Sequence, residues 1–208
     1  MGLANYTDLV ASIENWYTDQ DLTAVIPDFI TLVEGDLFYN KSIRLQAMEV
    51  TNETFPVSAR LTAFPTDFLE WRELRHSSSP YQKLDLVGAD WANEHFSWIA
   101  TGRPQCYLNE AGQLRMVPTP DTTYDLTVTY YAKLPALGPS QATNWILTNF
   151  PNVYLYGALC KSKGFVGNDE RMGGWEAAYE QAVNGMVKAD SRARWSGSTP
   201  AQRVRIAP

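Results

Sequence analysis

The sequence predicts an α+β fold that is mainly helical: a helical bundle with a C-terminal helical hairpin, a small antiparallel β-sheet insertion and an extended C-terminal tail. Apolar residues recur at helical spacing near both ends of the chain, whereas in the middle they alternate with polar residues as in strands. The last residues are polar and rich in Ser and Pro. Because 45% of the 208 residues are hydrophobic, the chain has enough apolar side chains for one packed core. We therefore predict a single domain over residues 1–194 and a tail over residues 195–208.

Two helices are predicted at the start of the chain, over residues 7–17 and 27–40. Leu9 and Ile13 are four residues apart and fall on one face of the first helix. In the second, Pro27 fits only the first turn, where its missing N–H costs no hydrogen bond.

A β-rich segment is predicted from about residue 43 to 134. Within it, "TNETFP" resembles a turn between two strand-like stretches, and "GADWANEHFSW" predicts a short helix with Trp91 and His95 on one face. "PQCYLNEAGQLRMVPTP" predicts a hairpin that turns at residues 110–112. "YDLTVTYYAKL" alternates regularly and is the clearest strand.

A helical hairpin is predicted over about residues 143–192. Its first arm, "VYLYGALC", is apolar nearly all round and is therefore expected to be buried. Asn168 is a suitable N-cap for the second arm, and Gly173 with Gly174 suggests a close approach of the backbone there. The residues predicted to form the hairpin core are Trp145, Tyr154, Tyr156, Leu159, Trp175 and Tyr179.

Charge is distributed unevenly along the chain. Residues 1–40 contain seven acids and no Lys or Arg, whereas residues 191–208 contain four Arg and no acid. Such a chain could bind copies of itself head to tail, and the alternative is a solvated acidic face with a tail that has no role. The tail is too polar to fold alone, yet "RVRI" alternates like a strand that is added to another sheet edge. The residues predicted to bind a partner are Arg192, Arg194, Arg203, Val204, Arg205 and Ile206.

The sequence contains no recognisable catalytic, cofactor-binding or metal-binding group. His76 and His95 lack metal-ligand spacing, and no phosphate-binding glycine motif or nucleophile motif occurs. Cys106 and Cys160 are expected to be reduced structural thiols. Three carboxylates, Asp67, Glu70 and Glu73, follow at intervals of three residues, which indicates a solvated face rather than a hydrolytic site. We therefore do not expect an enzyme or a cofactor.

Nucleic-acid binding and membrane insertion are also poorly supported. The formal net charge of −6 is opposite to that of a protein that tracks phosphates, so we expect the acidic front to keep DNA from adhering. The first residues lack the basic start of a signal peptide, and no apolar run approaches the roughly 18 residues of a membrane span. Assembly in the cytoplasm is therefore expected.

One segment carries a family resemblance. From "DLTVTYYAKLPAL" through "TNWILTNFPNVYLYGALCKSKGFVGNDERMGGWEAAYEQAV", the chain resembles the adaptor, or head-to-tail connector, proteins of tailed bacteriophages. "DLTAVIPDFITLVEGDL" and "FPTDFLEWREL" resemble the first half of that family. The likeness covers about residues 6–190 and does not include the tail after Arg194. The matching residues are Tyr130, Tyr131, Ala132, Leu134, Pro135, Asn144, Trp145, Pro151, Asn152, Tyr154, Tyr156, Gly157, Ala158, Leu159, Asp169, Glu170, Arg171, Trp175 and Glu176.

The resemblance implies a structural protein of the virion. Adaptors form a homo-oligomeric ring, usually of twelve copies, under the portal protein; the ring extends the DNA channel and offers a platform to the tail or nozzle protein. Genomic DNA would pass through without specific binding. The alternative is a small non-virion protein that binds carbohydrate or acts on cell walls. That activity needs a carboxylate pair, for which Asp67 with Glu70 is the nearest candidate.

Overall fold

A computed structural model describes residues 2–17, 22–166 and 172–196. Helices account for 40% of the structure and strands for 26%. The described residues form two compact units: residues 1–47 with 134–208, and residues 48–133. The second unit is thus inserted in sequence between two parts of the first. Among the described residues, no helix is both long and apolar enough to cross a membrane.

The first unit is helical. Its elements are α1 (Tyr6–Glu14), α2 (Ile26–Gly35) with a π-helical turn at Asp36–Asn40, α4 (Trp145–Asn149), α5 (Pro151–Lys161), α6 (Lys163–Val166) and α7 (Met172–Arg194). The two opening helices lie close to their predicted ranges. Asn5 caps α1 by accepting a hydrogen bond from the Asp8 N–H at 2.9 Å. The predicted N-cap Asn168 lies outside the described residues.

Helix α5 is the centre of this unit. It contacts α1, α2, α4 and α7, which explains why its sequence is apolar nearly all round. Pro151 stands at its start, where a proline is tolerated. Val153, Tyr154, Ala158 and Leu159 are fully buried in it.

The second unit contains two sheets. Its elements are a 3₁₀ turn (Gln46–Met48) that leads in, then β1 (Glu49–Val57), β2 (Leu61–Ala63), β3 (Phe68–His76), β4 (Asp85–Leu86), α3 (Ala89–His95), β5 (Cys106–Glu110), β6 (Gln113–Val117) and β7 (Tyr124–Ala132). One sheet has the order β1-β7-β3 and is antiparallel, and the other has the order β2-β6-β5-β4 with a parallel β4–β5 pair. Both sheets contribute to one apolar cluster that includes Leu74, Leu114 and Val128. On the other face of the four-stranded sheet, Ala92 of α3 packs in one cluster with Cys106 and Leu108 of β5.

The predicted fold class is therefore wrong. The β part is not a small antiparallel insertion in a mainly helical bundle but two sheets of three and four strands, one of them mixed. The largest error concerns residues 51–56, which lie within β1 instead of forming a turn. A bulge between Asn52 and Phe55 accommodates the turn-forming residues, and Pro56 is tolerated because β1 is an edge strand.

Three predicted elements of the middle segment are confirmed. β7 is the central strand of its sheet, and the β5–β6 hairpin turns at Ala111–Gly112. Both turn residues have positive φ, 51° and 73°, as the tight turn of a two-residue hairpin requires. α3 forms as predicted, with the rings of Trp91 and His95 stacked at 4.2 Å.

Candidate interaction surfaces

A seam of buried side chains holds α7 against α5. Trp175 and Tyr179 of α7 are 5% and 4% exposed, and Tyr154 and Leu159 of α5 are fully buried. The ring of Trp175 also meets that of Trp16 edge to face, with 6.0 Å between centroids. α7 is therefore fixed to α5 and to the end of α1 by large aromatic contacts.

The other two residues of the predicted hairpin core, Trp145 and Tyr156, are only half-buried. Trp145 begins α4, and its ring lies 5.7 Å from that of Phe150. Tyr156 lies on α5. Both side chains line surface depressions beside α7.

Gly157 is a point of close approach between α5 and its neighbours α2 and α7. A Cβ at this position would lie 2.8 Å from Cγ2 of Val33 on α2 and 3.0 Å from the ring of Tyr179 on α7. A close approach was predicted at Gly173 and Gly174 instead, and there it is wrong, since a Cβ at either meets nothing within 4 Å. The close approach therefore occurs in the hairpin, as predicted, but at a glycine of α5 and not at the glycines of α7.

A buried carboxylate connects four segments of the helical unit. Glu34 is 4% exposed and accepts hydrogen bonds from the Leu137 N–H at 2.9 Å and the Tyr154 hydroxyl at 3.2 Å. Asn144 donates to the Tyr154 oxygen at 2.7 Å and to the carbonyl of Pro135 at 3.2 Å. Burial, together with the charge of Glu34, raises the pKa of the Tyr154 hydroxyl, which therefore stays protonated and donates. This network was not predicted from the sequence.

A second carboxylate, Asp36, ties α2 to the hairpin. It accepts hydrogen bonds from the Tyr179 hydroxyl at 2.9 Å and from Asn40 at 3.0 Å, and Lys161 Nζ lies 3.4 Å away. Burial by itself would raise the pKa of Asp36, but the hydrogen bonds from Asn40 and Tyr179 and the charge of Lys161 lower it overall.

A polar cavity of about 340 Å³ lies beside this carboxylate. Within it, Lys41 Nζ is 2.5 Å from Glu180 Oε1 and 5.3 Å from the centre of the Tyr179 ring. Burial and then the charge of Glu176 raise the pKa of the Cys160 thiol to about 11, so this half-buried thiol is not a nucleophile near neutral pH. Four of the charged side chains of the cavity form two pairs, Lys41 with Glu180 and Lys161 with Asp36.

A groove runs along the outer side of α7. Two adjoining depressions, of about 940 and 510 Å³, share Phe150 and together form it; we call it the α7 groove. Its floor includes small residues of α7 at intervals of three or four: Ala178, Ala182, Gly185, Ala189 and Ala193. Gln181, Asn184, Lys188 and Asp190 of α7 also line the groove. Its opposite wall consists of Trp145, Phe150 and Tyr156. Small residues facing aromatic rings leave room for another backbone to lie close to α7.

Exposed aromatic side chains also occur in the β unit. Trp98 is 63% exposed, and the guanidinium of Arg60 lies over its ring at 3.1 Å from the centroid. Ile99 is 84% exposed, and Trp91 on α3 is 43% exposed. Aromatic side chains with Arg are enriched at protein interfaces.

Of the six predicted partner-binding residues, Arg192 and Arg194 lie in the described part of the chain. Arg192 is exposed. Arg194 is paired with Asp190, one turn earlier on α7, with 3.4 Å between Arg194 Nη2 and Asp190 Oδ2. Lys188 is exposed as well, so the last turns of α7 form a basic surface. The other four predicted residues, Arg203, Val204, Arg205 and Ile206, lie outside the described residues.

The acids of residues 1–40 do not form one exposed face. Glu34 is buried, Asp36 is engaged by Tyr179 and Lys161, and Asp28 is exposed on α2. Asp19 and Asp21 lie outside the described residues.

The candidate catalytic groups do not come together. Asp67 precedes β3 and accepts from the Tyr130 hydroxyl at 3.1 Å, whereas Glu70 and Glu73 lie on that strand, so they share no helical face. His76 is buried, donates its Nε2–H to the Pro104 carbonyl at 2.8 Å, and has its pKa lowered by burial. Within the described part of the chain, no three His, Cys, Asp or Glu side chains cluster as metal ligands do.

The sequence model of the SU10 adaptor protein family matches residues 4–205. No curated protein matches the chain. The family match extends beyond Arg194, where the likeness seen in the sequence ended, and so includes most of the tail.

Proposed function

We propose, because the chain belongs to the SU10 adaptor protein family, that it forms the adaptor ring of a bacteriophage head-to-tail connector. The predicted family is confirmed by a match over nearly the whole chain, and this match is the observation that carries the proposal. A phage adaptor is a structural protein of the particle and is typically not an enzyme.

In this proposal about twelve copies form a closed ring under the portal protein. The ring extends the channel through which the genome passes and offers its far side to the tail or nozzle protein. A contact between two different surfaces of one chain generates a ring when the rotation between neighbours closes. The exposed aromatic residues of the β unit and the α7 groove suit such contacts, because Trp and Tyr are enriched at interfaces.

The basic C-terminal residues are proposed to bind the portal or a neighbouring adaptor. Arg192 is exposed on α7 and contributes to a basic surface that suits carboxylates of a partner. Beyond the described residues, Arg203–Ile206 alternates charge with β-branched side chains, which suits an extended strand added to a sheet edge. The domain division, residues 1–194 as the adaptor domain and 195–208 as its docking tail, remains a prediction.

Electron microscopy of the purified protein mixed with its portal protein tests the proposal. We expect a ring on one end of the portal with a continuous central channel. Purified particles should contain the protein in an amount comparable with that of the portal. Absence from purified particles would refute the proposal, as would a hydrolase activity that Asp67→Asn abolishes.

A further inference from the structure

We infer that the α7 groove is the receptor for α2 of a second copy of this chain. This inference deepens the proposed function, since it names the contact that would join neighbours in the ring. It starts from the groove described above, where the floor residues Gly185, Ala189 and Ala193 are exposed in the single chain. A Cβ at Gly185, in the middle of the floor, meets nothing within 4 Å.

The outer face of α2 supplies a matching ridge. Val33 points inward and is fully buried, whereas Leu32 and Tyr39, on the outer side of α2 and its π-helical turn, are 55% and 63% exposed. Asp28 lies one turn before Leu32 on the same face. An amphipathic helix that docks in a groove uses anchors at this spacing.

The two surfaces agree in length. The floor from Ala178 to Ala193 extends about 22 Å at the helical rise per residue, and residues 26–40 extend about 20 Å. In an antiparallel arrangement Asp28 reaches Lys188, Leu32 lies over Gly185, and Tyr39 reaches Ala178. Small residues on the floor let the two helix backbones come close.

The two surfaces also differ in charge. Residues 1–40 contain no Lys or Arg, and Asp28 is exposed on the ridge. At the basic end of α7, Lys188 lines the groove and Arg192 follows one turn later. Asp190 also lines the groove there, and its carboxylate is paired with Arg194, whose Nη2 lies 3.4 Å from Asp190 Oδ2. Opposite charges at the rim of an interface favour this pairing and select its direction.

A chain cannot fill its own groove in this way. Val33 fixes α2 against Gly157 of α5, and this contact directs Leu32 and Tyr39 away from the same chain. Ridge and groove are therefore different surfaces of each copy. Every copy offers one ridge and one groove, so the contact is heterologous and continues from copy to copy until a ring closes.

Crosslinking in assembled particles tests the inference. The probe is Leu32→Cys combined with Gly185→Cys in one chain, treated with a short bifunctional maleimide. A heterologous contact links each copy to two neighbours, so we expect a ladder of covalent oligomers. Each single variant and the wild-type chain, with Cys106 buried and Cys160 half-buried, should give no ladder.

Filling the groove is an independent test. Gly185→Leu should leave the melting temperature of the single chain no lower, because the site is open and glycine is a poor helix former. It should nevertheless abolish ring assembly. The matched control is Ala177→Leu, an exposed position one residue from the floor residue Ala178 and so about 100° around the helix; this variant should assemble normally.

Charge exchange tests the orientation. Asp28→Lys and Lys188→Asp should each weaken self-association about tenfold or more, and the double variant should recover it. A protein present in particles without a crosslinked ladder, or crosslinked from position 185 to the portal, overturns the inference but not the proposed function. Normal assembly of Gly185→Leu overturns it too. Absence of the protein from particles overturns both.

Discussion

Single side chains at the contact of α2, α5 and α7 decide how closely these helices pack. Gly157 has no room for a Cβ, since the first atom of any side chain would overlap Val33 and Tyr179. Such overlaps in a packed core are relieved only by shifts of neighbouring side chains or backbone. This residue therefore sets the spacing of the helical unit.

We predict that Gly157→Ala destabilises the protein by about 1 to 3 kcal/mol. The matched control is Gly174→Ala on α7, where the added Cβ meets nothing within 4 Å. That variant should be up to about 1 kcal/mol more stable, because alanine favours the helix. Denaturant unfolding of both variants checks the pair. Equal stabilisation by both would show that α2 and α5 do not approach as described.

Trp175 is the largest side chain in the seam between α7 and α5. Trp175→Ala removes a buried side chain and its ring contacts with Trp16 and Tyr17, so we expect the free energy of unfolding to fall by about 3 to 5 kcal/mol. Thermal or urea unfolding measures it. A melting curve like that of the wild type would mean that Trp175 is not buried in the isolated chain.

Asp36 should make stability sensitive to acid. Its pKa in the folded state is lowered, so its contribution is present above the unfolded pKa of about 3.9 and is lost as pH falls through the folded pKa. The free energy of unfolding of the wild type should therefore decrease below about pH 4. Asp36→Asn should be less stable than the wild type at neutral pH, and its free energy of unfolding should decrease less on acidification. Equal acid sensitivity in wild type and variant would contradict the assignment.

At the level of elements, Asn144 begins α4 and also joins α4 to α5. Its side chain accepts from the Leu147 N–H at 2.9 Å as an N-cap and donates to the Tyr154 hydroxyl at 2.7 Å. The Asn144 side chain therefore caps the start of α4 and also positions the Tyr154 hydroxyl, which donates to Glu34.

Asn144→Ala is expected to lower the free energy of unfolding by about 2 to 4 kcal/mol. The variant loses the N-cap of α4, and it leaves the buried Tyr154 and Pro135 oxygens without the donor that Asn144 supplies. Asn5 is the control, since it caps α1 in the same way from a less buried position. Asn5→Ala should cost only about 1 kcal/mol. Chemical unfolding of both variants compares them, and equal losses would show that the bond to Tyr154 adds nothing.

At the level of the whole molecule, the tail after Trp195 can be separated from the fold. α7 ends at Arg194, and Trp195 is 59% exposed. A chain truncated after Trp195 should therefore melt at the wild-type temperature yet fail to dock on the portal or form stable rings. Circular dichroism and electron microscopy with the portal measure the two properties. If the truncated chain assembles as well as the full-length chain, the tail has no docking role.

The sequence determined the elements whose signals are local. Continuous apolar residues in "VYLYGALC" indicated a buried helix, and regular alternation in "YDLTVTYYAKL" indicated a strand, because each period depends only on the backbone geometry of that segment. The turn at residues 110–112 and the family resemblance could likewise be recognised from residues that are close together in the sequence. In each of these features the sequence prediction agrees with the structure or with the family match.

Only the tertiary structure decided how these elements combine. Residues 51–56 favour a turn locally, but pairing with β7 and a bulge draw them into an edge strand, so the β part became two sheets. The buried Glu34 is one of seven acids in residues 1–40, and nothing in its neighbours marks it as the one that accepts from Leu137 and Tyr154. The α7 groove likewise exists because α4 and α5 place aromatic residues opposite small ones on α7. Contacts between residues a hundred positions apart depend on packing, which local periodicity does not encode.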